Sequence, residues 1–182
     1  MENKHVLEDA LTYLIGPIEN VPDDGIVIRQ QIIEKLKEYD IRVKVIDPTQ
    51  KPCSTGHEIG PEKAKINALI DAEKYQEAKN LISDVRHIDL RFIDLVDFVI
   101  MYIDPSVHMC GSYNEAFEAE RQHKPRFVIV KGGIKKLPRW MFDVFDLDNI
   151  FDSVDTLVDK LDKLNRGIEP LTSQWVLIRK FI

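Results

Sequence analysis

Apolar positions along this chain fall into two rhythms, one with the period of a strand and one with the period of a helix. Leu11-Thr-Tyr-Leu-Ile15 is a short apolar run halted by Gly16-Pro17, which predicts a buried strand followed by a loop. After Asp23-Asp24-Gly25, residues Ile26, Ile28, Ile32, Ile33 and Leu36 recur at helical spacing, with Arg and Lys opposite. Ile41 to Ile46 alternates and is β-branched, predicting a second strand that ends at Asp47-Pro48. Strand, helix and strand in so short a span make a βαβ unit, hence a parallel pair with a right-handed crossover.

Residues 48 to 61 hold Pro48, Pro52, Gly56, Gly60 and Pro61 and read as a loop. A helix is predicted over Glu62 to Ser83, so that 48–84 forms a lid-like loop and helix insertion. Asp89 to Asp94 reads as a short separate helix. Phe98 to Ile103 is the clearest strand, and a helix follows from Cys110-Gly-Ser-Tyr-Asn-Glu115 through Glu120. Phe127 to Val130 and Ile150-Phe151 predict two more strands, with a mixed segment over Leu137 to Leu147 between them. Val154 to Leu164 predicts a helix, and Trp175 to Ile178 is strand-like. The sum is one α/β domain over 1–182: an open, mostly parallel five-stranded sheet with helices on both faces, flavodoxin/Rossmann-like, with a helical insertion after the second strand.

Such sheets bind ligands beyond the carboxyl ends of their strands, near the point where strand order reverses. Four loops meet that description: Gly16 to Gly25, Asp47 to Gly60, Asp104 to Ser112 and Lys131 to Gly133. None carries GxGxxG or GxxxxGK[ST], and no GxSxG elbow is present. These absences argue against dinucleotide, Walker-type nucleotide and serine-hydrolase chemistry, and no cofactor is expected. What remains at the strand ends is a set of carboxylates: Glu19, Asp47, Asp89, Asp94, Asp104 and Glu115. Asp47 and Asp104 precede proline and read as turn residues. Acids converging on one sheet edge suit oxocarbenium chemistry, with one carboxylate attacking and another group managing the leaving-group proton.

Composition narrows the partners. The chain has 182 residues and a net charge of −6, without a Lys/Arg-rich block, which argues against nucleic acid or an anionic membrane. A small diffusible ligand fits better. Five scattered histidines show no metal-ligand spacing, so no metal site is expected. The polar N-terminus, the lack of a long apolar run and two isolated cysteines point to a reducing cytoplasm.

Ser112 and Glu115 have the S-x-x-E spacing of a capping box, which would put Glu115 in the first helical turn. There the helix dipole would lower its pKa and keep it ionised, a state that suits a cap and a nucleophile equally. Arg91 is placed either to clamp a phosphate or to pair with Asp94 or Asp97. His108 either touches a ligand or sits on an exposed loop.

Three ordered motifs resemble the nucleoside 2-deoxyribosyltransferase family and its nucleotide N-glycosidase relatives. They are Tyr13-Leu-Ile-Gly16-Pro17-Ile18-Glu19, then Asp89-Leu90 eight residues ahead of Asp97-Phe98-Val99-Ile100, then Gly111-x-x-x-Glu115-x-x-x-Ala119. The resemblance spans about Tyr13 to Val130. It implies that Glu115 attacks the anomeric carbon of a nucleoside or nucleoside 5′-monophosphate, that Asp89 helps protonate the leaving base, and that Tyr13 orients Glu115. It further implies that Gly16, Pro17, Ile18, Glu19, Gly111, Ser112 and Asn114 line the substrate site, where Arg91 and His108, from their own positions, are candidate contacts. A homo-oligomer is also implied, because the family's sites lie near subunit contacts.

The chain departs from the family in three places. The 48–84 segment has no clear counterpart, no tail residue matches the asparagine supplied by a neighbouring subunit, and His108-Met109-Cys110 replaces an acidic residue. These departures favour base-releasing hydrolysis over base exchange. The alternatives are a non-catalytic module for a nucleotide or ADP-ribose-like ligand on the same fold, and an interaction protein whose insertion receives a protein partner.

Overall fold

The computed structural model describes residues 5–175. Five strands, β1 (Leu11–Ile15), β2 (Lys44–Ile46), β3 (Phe98–Ile103), β4 (Arg126–Val130) and β5 (Ile150–Phe151), form one sheet in the order β2-β1-β3-β4-β5. All four pairings are parallel, with Tyr13 opposite Ile46 on one side and Val99 on the other. The chain leaves β1 for β2 on one side and later returns to place β3 on the other. The order therefore reverses between β1 and β3, where a crevice must open between diverging connections.

Alternation along the strands divides the core in two. Leu14, Phe98, Ile100, Phe127 and Ile129 point to one face, covered by α1 (Ile26–Glu38) and α5 (Val154–Asn165). Trp175 closes this layer, with its ring centroid 5.2 Å from that of Phe98. Tyr13, Ile15, Val99, Met101, Val128 and Val130 point to the opposite face. That face is covered by α3 (Tyr75–Leu95), α4 (Cys110–Arg121) and the short 3₁₀ turns between Ile134 and Phe142. Tyr13 is thus the one polar side chain that β1 sends into the second layer, and it lies beneath the crevice.

The structure departs from the sequence expectations at several boundaries. β2 begins at Lys44 and not at Ile41, because the backbone of Ile41 and Val43 is spent closing the turn after α1 onto Leu36 and Ile41. The single helix expected over Glu62 to Ser83 is two helices, α2 (Gly60–Asp71) and α3. The break is made by Glu73 in the left-handed conformation (φ 57°), with Glu73 and Lys74 N–H groups returning to Ile70 and Leu69 carbonyls. The short helix expected over Asp89 to Asp94 is the end of α3, whose last carbonyls receive the Lys124 ammonium (Ile93 at 2.6 Å, Asp94 at 2.9 Å). Beyond Trp175, the strand-like run to Ile178 lies outside the described residues. No helix among the described residues is long and apolar enough to cross a membrane.

The capping box does not form. α4 starts three residues earlier than S-x-x-E requires, at Cys110, with Met109 as N-cap and no side-chain capping bond. Met109 is buried in the second core layer, and packing decides where this helix begins. Ser112 becomes the third helical residue and Glu115 the sixth, a full turn deeper than the dipole argument requires.

Candidate active site

A cleft of about 330 Å³ opens at the carboxyl ends of β1, β2 and β3, within the range of small-molecule pockets. Its walls come from the β1 loop (Gly16, Pro17, Ile18, Glu19), the segment after β2 (Pro48, Glu58), α2 and α3, and the start of α4. Three of the four loops expected at the ligand edge contribute to it. The fourth, Lys131 to Gly133, does not: the Lys131 ammonium is held 2.7 Å from Asp104.

Arg29 shapes the first wall. Its guanidinium is 2% exposed and donates to the carbonyls of Gly16 (2.8 Å), Pro17 (3.2 Å) and Gly25 (2.9 Å), while Nε lies 3.7 Å from Asp47. Gly25 is required here. Its φ is 69°, and a Cβ would stand 2.1 Å from the Pro17 carbonyl oxygen and 2.3 Å from Arg29 Nη1. One buried cation thus ties the β1 loop, the start of α1 and the end of β2 into a rigid rim.

The floor is a group of acids. Tyr13 Oη donates to Glu115 Oε1 at 3.2 Å, and the Tyr13 ring stacks on Phe92 of α3. Asp89 projects from the stripe of α3 that includes Val85 and Ile93, an acid among buried apolar neighbours. Its carboxylate meets the ammonium of Lys51 at 2.7 Å. The Lys51 side chain is 0% exposed and also donates to the Gly56 carbonyl at 2.6 Å. Glu58 adds a third acid from the same segment.

Burial raises all three acids, and Asp89 raises the other two. Glu115, half-open to the cleft, is pushed up to about 8, first by its burial and then by the Asp89 and Glu58 carboxylates, against the lowering effect of the Tyr13 bond. This reverses the expectation of a depressed, permanently ionised Glu115. Burial also raises Asp89, while the adjacent Lys51 pulls it back down. Glu58 is raised by burial and by Asp89. Tyr13 is raised well above its ordinary value by burial and by the Glu115 and Asp89 charges, so its hydroxyl stays a donor.

Tyr13 therefore lies under the cleft, while Gly16, Pro17, Ile18, Glu19, Asp89, His108, Gly111, Ser112, Asn114 and Glu115 line it. Gly111 faces open space, where an added Cβ would touch nothing within 4 Å. Arg91 is elsewhere: its side chain is 81% exposed and pairs with Asp94 at 3.1 Å. Two residues along a helix turn the side chain by roughly 200°, so Arg91 cannot share the face of Asp89. Arg86, on the cleft side of α3, donates instead to Asn114 Oδ1 (3.1 Å from Nη2). Lys63 of α2 also reaches the cleft and is paired with Asp24.

Sequence reasoning missed Lys51, Glu58, Arg29, Arg86 and Lys63. An acid interrupting the stripe Val85–Asp89–Ile93 was a readable signal for Asp89, but nothing near Lys51 or Glu58 marks them as buried. Among the described residues, no group of three or more His, Cys, Asp or Glu is arranged to hold a metal ion.

No family model matches the chain, and no curated protein sequence does. Solved structures do. A protein characterised as a 2-deoxyribosyltransferase from the psychrotolerant bacterium Bacillus psychrosaccharolyticus superposes with a TM-score of 0.55 over 82% of this chain and 91% of that one, at 17% identity. The chain shares its fold with a solved deoxyribosyltransferase. A conserved protein from Enterococcus faecalis V583 matches with a TM-score of 0.54 at 13% identity, over 85% of this chain and 98% of the other. At these identities the likeness establishes the fold alone.

Proposed function

We propose that the protein cleaves the N-glycosidic bond of a nucleoside or nucleoside 5′-monophosphate, with Glu115 as nucleophile. One observation carries the reading: Glu115, Tyr13 and Asp89, remote in sequence, meet at the floor of a cleft of nucleoside size. Deoxyribosyl transfer by the structural neighbour is in keeping with it.

In this mechanism a Glu115 carboxylate oxygen bonds to the anomeric carbon as the carbon–nitrogen bond breaks. The bonding pair leaves with the base, whose nitrogen takes a proton from Asp89. Water, or a second base, then attacks the anomeric carbon, passes its proton to the Asp89 carboxylate and breaks the bond to Glu115, which leaves as its carboxylate. Tyr13 fixes the attacking carboxylate and stabilises its charge. The ligand-free site holds its proton on Glu115, whereas the reactive arrangement has that proton on Asp89 and the charge on Glu115. The two forms differ by the position of one proton within a coupled cluster.

Incubation with a panel of nucleosides, deoxynucleosides and their 5′-monophosphates, with and without acceptor bases, tests the reading by liquid chromatography. The expected result is base release from at least one, accelerated or diverted by an acceptor if the reaction is transfer. A folded sample that releases no base, but whose melting temperature rises with a nucleotide, would identify a binding module instead.

A further inference from the structure

Lys51 makes or breaks no bond in this mechanism, and its setting is unusual. Lysine is almost never fully buried without a partner, because desolvating an ammonium is costly. This one comes from a loop rich in proline and glycine, yet its side chain is wholly inaccessible. Two contacts hold it, the Gly56 carbonyl at 2.6 Å and Asp89 Oδ1 at 2.7 Å. The Gly56 contact belongs to a fixed loop: Gly56 has a φ of 76°, and the neighbouring His57 N–H donates to Glu62 of α2 at 2.6 Å. The ammonium is thus built in behind Asp89, on a frame that does not depend on Asp89 alone.

Asp89 faces charge from every element packed around it. Tyr13 comes from β1, Arg29 from α1, Lys51 and Glu58 from the segment between β2 and α2, and Glu115 from α4. Of these, Lys51 makes the direct contact with opposite charge. Without it Asp89 would keep only the lesser help of Tyr13 and Arg29, among the Glu58 and Glu115 carboxylates, and would be a poorer proton donor.

We propose that Lys51 is the positioning residue for the leaving-group acid, its ammonium stabilising the carboxylate that Asp89 becomes as it gives its proton to the departing base. This rests on the N-glycosidic reading above. Lys51 touches no substrate and acts through Asp89. The charge that develops on Asp89 in the transition state is met by a preorganised cation in a site shielded from water, where such an interaction is strong.

The test compares Lys51→Met and Lys51→Arg with the unaltered protein on two kinds of leaving group. One is a natural nucleoside, whose base must be protonated; the other is a nitrophenyl deoxyriboside, whose nitrophenolate leaves without a proton. Lys51→Met should lower kcat on the nucleoside by about 10²-fold and on the nitrophenyl substrate by much less, and Lys51→Arg should recover most of the loss. An equal loss on both substrates overturns the proposal. Carboxyl NMR of ¹³C-aspartate-labelled protein, assigned with Asp89→Asn, gives a readout independent of turnover. The Asp89 midpoint should rise by about 1 to 3 pH units in Lys51→Met, and an unmoved midpoint in a folded variant overturns the proposal. Should Lys51→Met not fold, the unaltered protein decides: the Lys51 ¹⁵Nζ signal must respond as Asp89 titrates, and an indifferent signal overturns the proposal. A protein that releases no base at all defeats the functional reading, while the NMR result still reports on the Lys51–Asp89 coupling.

Discussion

Asp104 and Glu115 lie just beyond the same strand, β3, eleven residues apart, and their environments could hardly differ more. Asp104 accepts from the Ser106 N–H (3.0 Å), the Ser106 hydroxyl (2.6 Å) and the Lys131 ammonium (2.7 Å). Those donors hold it below the ordinary carboxylate range, the Lys131 and Ser106 bonds counting most. Glu115 has a single donor, Tyr13, and faces two other acids, which leaves it protonated at neutral pH. An acid held by three donors is a fastener. An acid kept short of partners beside other acids holds a proton it can lose, and such groups mark sites of chemistry.

Replacing Glu115 should separate the two most sharply. Glu115→Gln is expected to lower base release by about three orders of magnitude or more while keeping the fold, as measured by single-turnover kinetics. Its stability should change in the opposite sense. The folded protein retains a proton on Glu115 that the unfolded chain gives up near 4.5, so that contribution is intact below 4.5 and lost as pH rises through about 8. Glu115→Gln should therefore be more stable than the unaltered protein at pH 9, by about 1–3 kcal/mol in urea melts, the side chain being half-open to water. A glutamate whose loss destabilised the protein at pH 9 would be another Asp104.

Tyr13→Phe removes the one bond that favours the Glu115 charge. Turnover should fall by about 10- to 100-fold, and the rise of kcat/KM with pH should move to higher pH, since the bond lowers the Glu115 pKa. An unchanged pH profile would mean that the contact plays no part in the reaction.

Asp104→Asn tests the other half of the comparison. It should cost about 1–2 kcal/mol of stability at pH 7 and leave turnover untouched. Because the Asp104 pKa is depressed on folding, the difference should be present above the ordinary carboxylate range and fade as pH falls through the lowered value. Arg91→Ala should do least, changing stability by less than about 0.5 kcal/mol and turnover not at all. A marked loss of activity would return Arg91 to the substrate site.

The fold was largely legible in the sequence because each strand is a β-branched run stopped by proline, glycine or aspartate, and because α1 and α5 carry apolar stripes. The α2–α3 break was not legible. Glu73 adopts a left-handed conformation that no glycine announces, and the apolar spacing runs on across it. The cleft itself could be anticipated, since strand order and three ordered motifs place Tyr13, Asp89 and Glu115 at one edge. Their electrostatics could not. The S-x-x-E spacing predicts a charged residue in the first turn, whereas a buried Met109 moves the helix start to Cys110. The raised pKa of Glu115 depends on Asp89 and Glu58, 26 and 57 positions away. Lys51 reads as an ordinary loop lysine until the fold sets it against Asp89.

The central claim is that Glu115 becomes covalently bonded to the sugar, and peptide mass spectrometry tests it most directly. A sample quenched in acid during turnover of a nucleoside substrate would be digested and the α4 peptide containing Glu115 weighed. A glycosyl adduct is expected on Glu115, absent from Glu115→Gln. Base release at the full rate by Glu115→Gln, with no adduct on the unaltered protein at any time, would contradict it.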